Sequence, residues 1–140
     1  KKLNKEHNIF VANRTNESLG GFNHQYIKID VTKEVLDTSN LPDSLDGLVY
    51  CPGSINLRPF RGLKTETFIE DFNLNVMGAV KIINAVLKNL NNSHQASIVL
   101  FSTVAVQTGM PFHSSVAASK GAIEGLTRSL AAEISSKNIS

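Results

Sequence analysis

The 140 residues carry 14 Lys+Arg against 12 Asp+Glu, a formal charge of +2, with 41% hydrophobic and 19% charged positions. That length and balance suit a single domain with a real core, and they exclude the strongly basic surface that nucleic acid requires. One cysteine, Cys51, excludes an internal disulfide framework, and no run reaches the ~18 apolar residues of a membrane span, so the expected location is the cytoplasm.

The chain opens on a polar stretch, Lys1 to His7, that reads as the tail of a helix. Lys1, Lys2 and Lys5 are read as its solvated end in preference to a nucleic-acid contact. The polar start also lacks the apolar centre of a signal peptide. Four apolar runs follow at Asn8–Asn13 (NIFVAN), Gln25–Asp30 (QYIKID), Gly47–Cys51 (GLVYC) and Ala96–Ser102 (ASIVLFS). They are short, rich in β-branched residues and poorly alternating, the pattern of parallel strands covered on both faces. Between the first two, Gly20-Gly21 is an isolated pair in a polar turn and opens no helix. Thr32 to Leu45 predicts a short, weakly helical connection broken by Pro42.

From Thr65 to Leu90, the residues Phe68, Phe72, Val76, Ala79, Ile83, Val86 and Leu90 recur at helical spacing. Ile69, Met77, Val80 and Leu87 widen that stripe beyond one sheet contact. Asn75 lies inside it, where an amide lowers helix propensity and needs a partner. A second helix is predicted over Ser114–Ser135, with Ile123, Leu126, Leu130 and Ile134 on one face and Ala118, Ala122, Gly125 and Ser129 on another. The surplus apolar and small surface has two readings, contact with a second subunit or contact with segments outside these residues. Strands alternating with helices predict a three-layer α/β fold in one domain, residues 1–140.

Phe101 to Leu130 (FSTVAVQTGMPFHSSVAASKGAIEGLTRSL) resembles the strand end, loop and helix that hold the Ser, Tyr and Lys of the short-chain dehydrogenases/reductases. Lys120 matches the Lys, but Val116 stands four residues before it, where the family keeps its Tyr. The resemblance implies a Rossmann-like doubly wound parallel sheet (three-layer α/β/α), incomplete at both ends. No G-x-G-x-x-G fingerprint opens the chain, and Lys137-Asn138-Ile139-Ser140 is where a further strand would start, so the sequence is expected to be an interior piece. The family's strand order also implies that the first and third runs do not pair with each other.

Further positions follow from the resemblance. Asp30 and Val31 resemble the site that fixes the adenine ring, through the Asp30 carboxylate and the next backbone amide, although Asp after a strand is also a common turn residue. Leu48 to Gly53 resembles the strand end and Asn-Asn-Ala-Gly turn, with Gly53 at the Gly and Tyr50, Cys51 and Pro52 as departures. Cys51 lacks a sequence-evident base, so a buried strand-end thiol is the preferred reading over a nucleophile. Asn75, 22 residues after Gly53, stands at the family's active-site Asn, which kinks its helix and holds a water. Thr103, 28 residues later, stands at the Ser that donates to the substrate oxygen, with Ser102 in reserve one residue away. Lys120 would bind the nicotinamide ribose. Its other family task, lowering the pKa of the Tyr, has no object here. His113 is a reserve acid/base or a loop histidine without a catalytic role. Arg14, after Asn13 where an acid would select NAD, favours NADP over NAD or is a solvated helix-start residue.

The expected function is thus an NAD(P)(H)-dependent oxidoreductase acting between nicotinamide and a small carbonyl or alcohol substrate. It would work without metal, nucleic acid or membrane, as a homodimer or homotetramer through the 65–90 and 114–135 helices. The competing expectation is a catalytically inactive nucleotide-binding or scaffold protein, for which Val116 and the altered turn speak.

Overall fold

The computed structural model describes residues 7–17, 20, 23–134 and 139–140. The readings on Lys1, Lys2, Lys5, Gly21, Ser135, Lys137 and Asn138 lie outside the described residues. Four short strands form at β1 (Phe10–Asn13), β2 (Gln25–Lys28), β3 (Gly47–Tyr50) and β4 (Ser97–Leu100). They associate in two parallel pairs. β1 runs beside β2 with Phe10 opposite Gln25, and β3 beside β4 with Gly47 opposite Ser97. β1 and β3 do not pair, as the family's strand order implies. Beyond β4, Ile139 bridges Ala96 in parallel, and the Ile98 N–H donates to the Ser140 carbonyl at 2.8 Å.

The apolar stripe predicted over Thr65–Leu90 folds as α1 (Thr65–Phe72), a π turn (Asn73–Met77) and α2 (Gly78–Asn91). The Gly78 N–H reaches the Asn73 carbonyl, five residues back, which widens the helix where Asn75 and Val76 are buried. A short helix α3 (Ala105–Thr108) follows β4, and α4 spans Ser114–Ile134. The core gathers Ile29, Tyr50, Val76, Ala79, Val86, Leu90, Ile123 and Ile134, so α2 and α4 share one apolar interior with the strand ends.

Two expectations are corrected. No helix forms over Thr32–Leu45. Asp37 accepts the Ser39 N–H at 2.9 Å, and Asn89 of α2 donates to the Pro42 carbonyl at 2.7 Å, so side-chain turns and tethers replace helical bonds. Cys51 is exposed, because β3 ends at Tyr50 and alternation turns neighbours of that buried ring outward. One face of the β3–β4 pair is open in part among the described residues. Val49 and Val99, opposite each other in β3 and β4, are 55% and 42% exposed.

Candidate active site

The π turn delivers Asn75 to the strand ends. Its side chain is fully buried, and Nδ2 donates to the Asp71 carbonyl at 2.8 Å and to Ser54 Oγ at 3.4 Å. Oδ1, equally buried, has no hydrogen-bond partner among the described residues. An unpaired acceptor at such depth is costly, and it marks a place where a ligand or water completes the bonding. Gly53, in the turn after β3, locates that place. A Cβ added there would lie 3.2 Å from Asn75 Oδ1 and 3.6 Å from Lys120 Nζ. Gly53 therefore leaves open the space on which an orphaned amide oxygen and an ammonium converge.

Lys120 projects from the second turn of α4. Burial pushes its pKa down from 10.5, since the charged form loses solvation there. One turn earlier Val116 is buried and offers no proton. Thr103 follows β4, half-buried, and its hydroxyl oxygen accepts the Ala105 N–H at 3.3 Å. A hydroxyl that accepts keeps its proton to donate. Ser102 is committed elsewhere, donating to Glu124 Oε1 at 2.6 Å, while Glu124 meets Arg128 at 3.8 Å. His113 Nδ1 lies 2.7 Å from the Pro111 carbonyl. The structure brings together Gly53, Asn75 and Lys120; Thr103 and His113 make no hydrogen bond to any of them.

Two interaction centres escaped the sequence reading, which named Tyr50 only as a departure in the turn. Tyr50, at the first Asn position of the turn, is buried, and its phenol donates to the Leu74 carbonyl in the π turn at 2.6 Å. Burial pushes its pKa up to about 12, so this phenol keeps its proton and is no substitute acid. Asp71 is the other. Only 1% exposed, its carboxylate accepts from Ser54 Oγ, from Asn56 Nδ2 at 2.9 Å and from Ser115 Oγ. The available signal was its spacing, since Asp71 and Asn75 at i and i+4 share one helix face within an apolar stripe.

The positions read as cofactor-facing lie at the ends of β1 and β2. Arg14 is exposed, and its N–H donates to Asn13 Oδ1 at 2.8 Å. Asp30 Oδ1 accepts the Thr32 hydroxyl at 2.6 Å and the Thr32 N–H at 3.0 Å. Those bonds, the hydroxyl first, hold its carboxyl below the ordinary range of 3.8. Lys81 of α2 ties this corner down, donating to the carbonyls of Thr32 at 3.3 Å and Val31 at 3.5 Å. A concavity of about 470 Å³ beside Phe10, Tyr26 and Asn40 is open, and Gly53, Asn75 and Lys120 are not among the residues that line it. No group of three metal-ligating side chains occurs among the described residues.

Residues 6–140 match the model of the short chain dehydrogenase family. The chain belongs to that family. It is 35% identical over 101 residues to retinol dehydrogenase 8 of Homo sapiens, covering 72% of this chain and 32% of that protein. To carbonyl reductase family member 4 of Danio rerio it is 32% identical, covering 91% of this chain and 56% of the relative. A short chain dehydrogenase family structure from Francisella tularensis superposes with a TM-score of 0.83 at 27% identity, over 97% of this chain and 57% of that one. The chain thus spans between a third and somewhat over half of these relatives, and its fold is the expected Rossmann-like α/β architecture in part.

Proposed function

We propose that the chain is the single, partial nucleotide-binding domain of an NADP(H)-linked short-chain oxidoreductase that interconverts a carbonyl and an alcohol. The observation behind this reading is the convergence of Asn75 Oδ1 and Lys120 Nζ on the bare Cα of Gly53. Family membership supports the reaction class. Relatives include a retinol dehydrogenase, a carbonyl reductase and a cyclopentanol dehydrogenase.

The donor set fits a nicotinamide nucleotide. An ammonium and an orphaned amide oxygen suit ribose hydroxyls and water, and a Cβ at Gly53 would fill the cradle. Lys120 would hold the ribose, Gly53 would admit it, Asp30 and the Val31 amide would hold the adenine, and Arg14 would meet a 2′-phosphate. The bound nucleotide supplies the hydride chemistry. Thr103 donates its free hydroxyl proton to the substrate oxygen, which stabilises negative charge as it develops there. Asn75 Oδ1 accepts from a water in the cleft and keeps it placed. The proton itself comes from His113 or from solvent, because Val116 has none to give. Metal plays no part in this scheme.

Val116 favours a second reading, nucleotide binding without turnover. Mixing full-length protein with NADPH and following its fluorescence, then its oxidation by a panel of small carbonyls, separates the two. Turnover supports the enzyme, binding without turnover supports the second reading, and no binding removes both.

The proposal includes assembly as a homodimer or homotetramer through the 65–90 and 114–135 helices. Ile69, Phe72 and Met77 are 54%, 41% and 40% exposed on the isolated chain. Covering them contributes about 25 cal/mol per Å². Light scattering checks this, and a monomer at micromolar concentration refutes it. The unpaired, exposed Cys51 suits a reducing compartment, so the cytoplasm is the proposed location. No described helix is long and apolar enough to cross a membrane.

A further inference from the structure

We propose that Asp71 and Ser54 are positioning residues that fix the Asn75 amide with Oδ1 toward the Gly53–Lys120 cleft, and that Ser115 extends the same hold to α4. The two ends of a primary amide have nearly the same shape, so only hydrogen bonding decides which end faces where. Here the decision is made twice. Ser54 has one proton, and it goes to Asp71 Oδ1 at 2.5 Å. The hydroxyl can then present only lone pairs to Asn75, 3.4 Å away, which accept from NH2 and repel an amide oxygen. The Asp71 carbonyl, an obligate acceptor, makes the same demand at 2.8 Å. Reversing the amide would set Oδ1 against two acceptors and turn the NH2 group toward the Lys120 ammonium.

The carboxylate is suited to this task because it is a pure acceptor, only 1% exposed and surrounded by three donors from two places in the chain. Ser54 and Asn56 come from the loop after β3, and Ser115 comes from the first turn of α4. Ser115 Oγ also lies 3.4 Å from the Thr67 carbonyl of α1. Ser115 adjoins Val116 and starts the turn that leads to Lys120. One side chain on α1 therefore sets the orientation of the amide and the docking of the helix that supplies the ammonium. A purely structural clamp would hold the helices together without specifying the amide's orientation. The double constraint on Nδ2 is what assigns a positioning role.

The consequence for nucleotide binding rests on the function proposed above, whereas the orientation of Asn75 does not. The test uses full-length protein isotope-labelled at asparagine side chains, with the Asn75 signal assigned by its loss in Asn75→Asp. Ser54→Ala should speed solvent exchange of the Asn75 amide protons about tenfold, the scale of one lost hydrogen bond. Ser54→Thr, which restores the hydroxyl, should return exchange to within about threefold of wild type by the same reasoning. NADPH affinity should fall about fivefold in Ser54→Ala and recover with Thr. Asp71→Asn should act in the same direction; if that variant does not fold, Ser54→Ala still decides, because its carboxylate keeps Asn56 and Ser115. Unchanged exchange in folded Ser54→Ala overturns the proposal. A wild type that binds no NADPH, with exchange responding as stated, counts against the function and upholds the positioning role.

Discussion

Gly78→Ala tests whether the π turn and the Tyr50 phenol are one packed unit. A Cβ at position 78 would overlap Tyr50 Oη and lie 3.1 Å from Val31 Cγ2 and 3.3 Å from Tyr50 Cζ. The ring cannot swing away freely, because it is 5% exposed and bonded to the Leu74 carbonyl at 2.6 Å. Forcing a methyl into such a site costs about 1–3 kcal/mol. Breaking the phenol's hydrogen bond adds about 1 kcal/mol. Against this, Ala is favoured over Gly inside a helix by about 1 kcal/mol. The net expectation is a loss of about 1–3 kcal/mol, read from urea midpoints of the full-length protein at unchanged m. Tyr50→Phe removes the overlapping oxygen, so Gly78→Ala should cost at least about 1 kcal/mol less in that background. A neutral Gly78→Ala, or an equal cost in both backgrounds, refutes the packing argument.

Two other predictions concern the cleft. Val116→Tyr puts a phenol one turn before Lys120, whose charge would lower its pKa; carbonyl reduction should rise by about 10² or more, followed as NADPH consumption. A variant that binds NADPH with no gain would show that the site has diverged beyond this residue. Lys120→Met should weaken NADPH binding and be at least as stable as wild type near neutrality. Because the folded-state pKa of Lys120 lies below 10.5, the unfolded chain binds more protons between the two values. Wild-type stability therefore gains on Lys120→Met as pH rises through the lowered pKa toward 10.5, and thermal melts across that window that show the reverse trend refute the assignment.

The sequence was most legible where periodicity and spacing coincide. The apolar stripe through Phe72, Val76, Ile83 and Leu90 marks a helix, and the intervals from Gly53 to Asn75 to Lys120 locate the residues that meet in the cleft. Periodicity was silent on the π turn, because one extra residue in the ring shifts the stripe too little to break the pattern; only the kink that the resemblance attaches to Asn75 pointed there. Thr32–Leu45 misled because weak helical spacing there competes with Asp30 and Asp37 side chains that capture N–H groups two residues on. Cys51 misled because an apolar run does not reveal where a strand stops. The Asp71 cluster was hidden for a different reason. Its donors, Ser54, Asn56 and Ser115, are ordinary surface residues until the fold brings them around one carboxylate.

The departures from the family pattern differ in kind, and that difference bears on function. Tyr50 replaces an amide with a phenol, but the phenol is spent on the Leu74 carbonyl and its proton is held up to about pH 12. Val116 replaces a phenol with a buried aliphatic group. The change at Val116 removes proton-transfer capacity from the neighbourhood of the cleft, and the change at Tyr50 supplies none in its place. Neither touches the parts that would grip a nucleotide, because Asn75 is oriented from Asp71 and Ser54, and Lys120 rides on a helix anchored through Ser115. On the proposed function, binding and proton supply are therefore separable, with the residues assigned to binding held by the chain's own hydrogen bonds. A gain of turnover in Val116→Tyr at unchanged NADPH affinity is the outcome that separation requires.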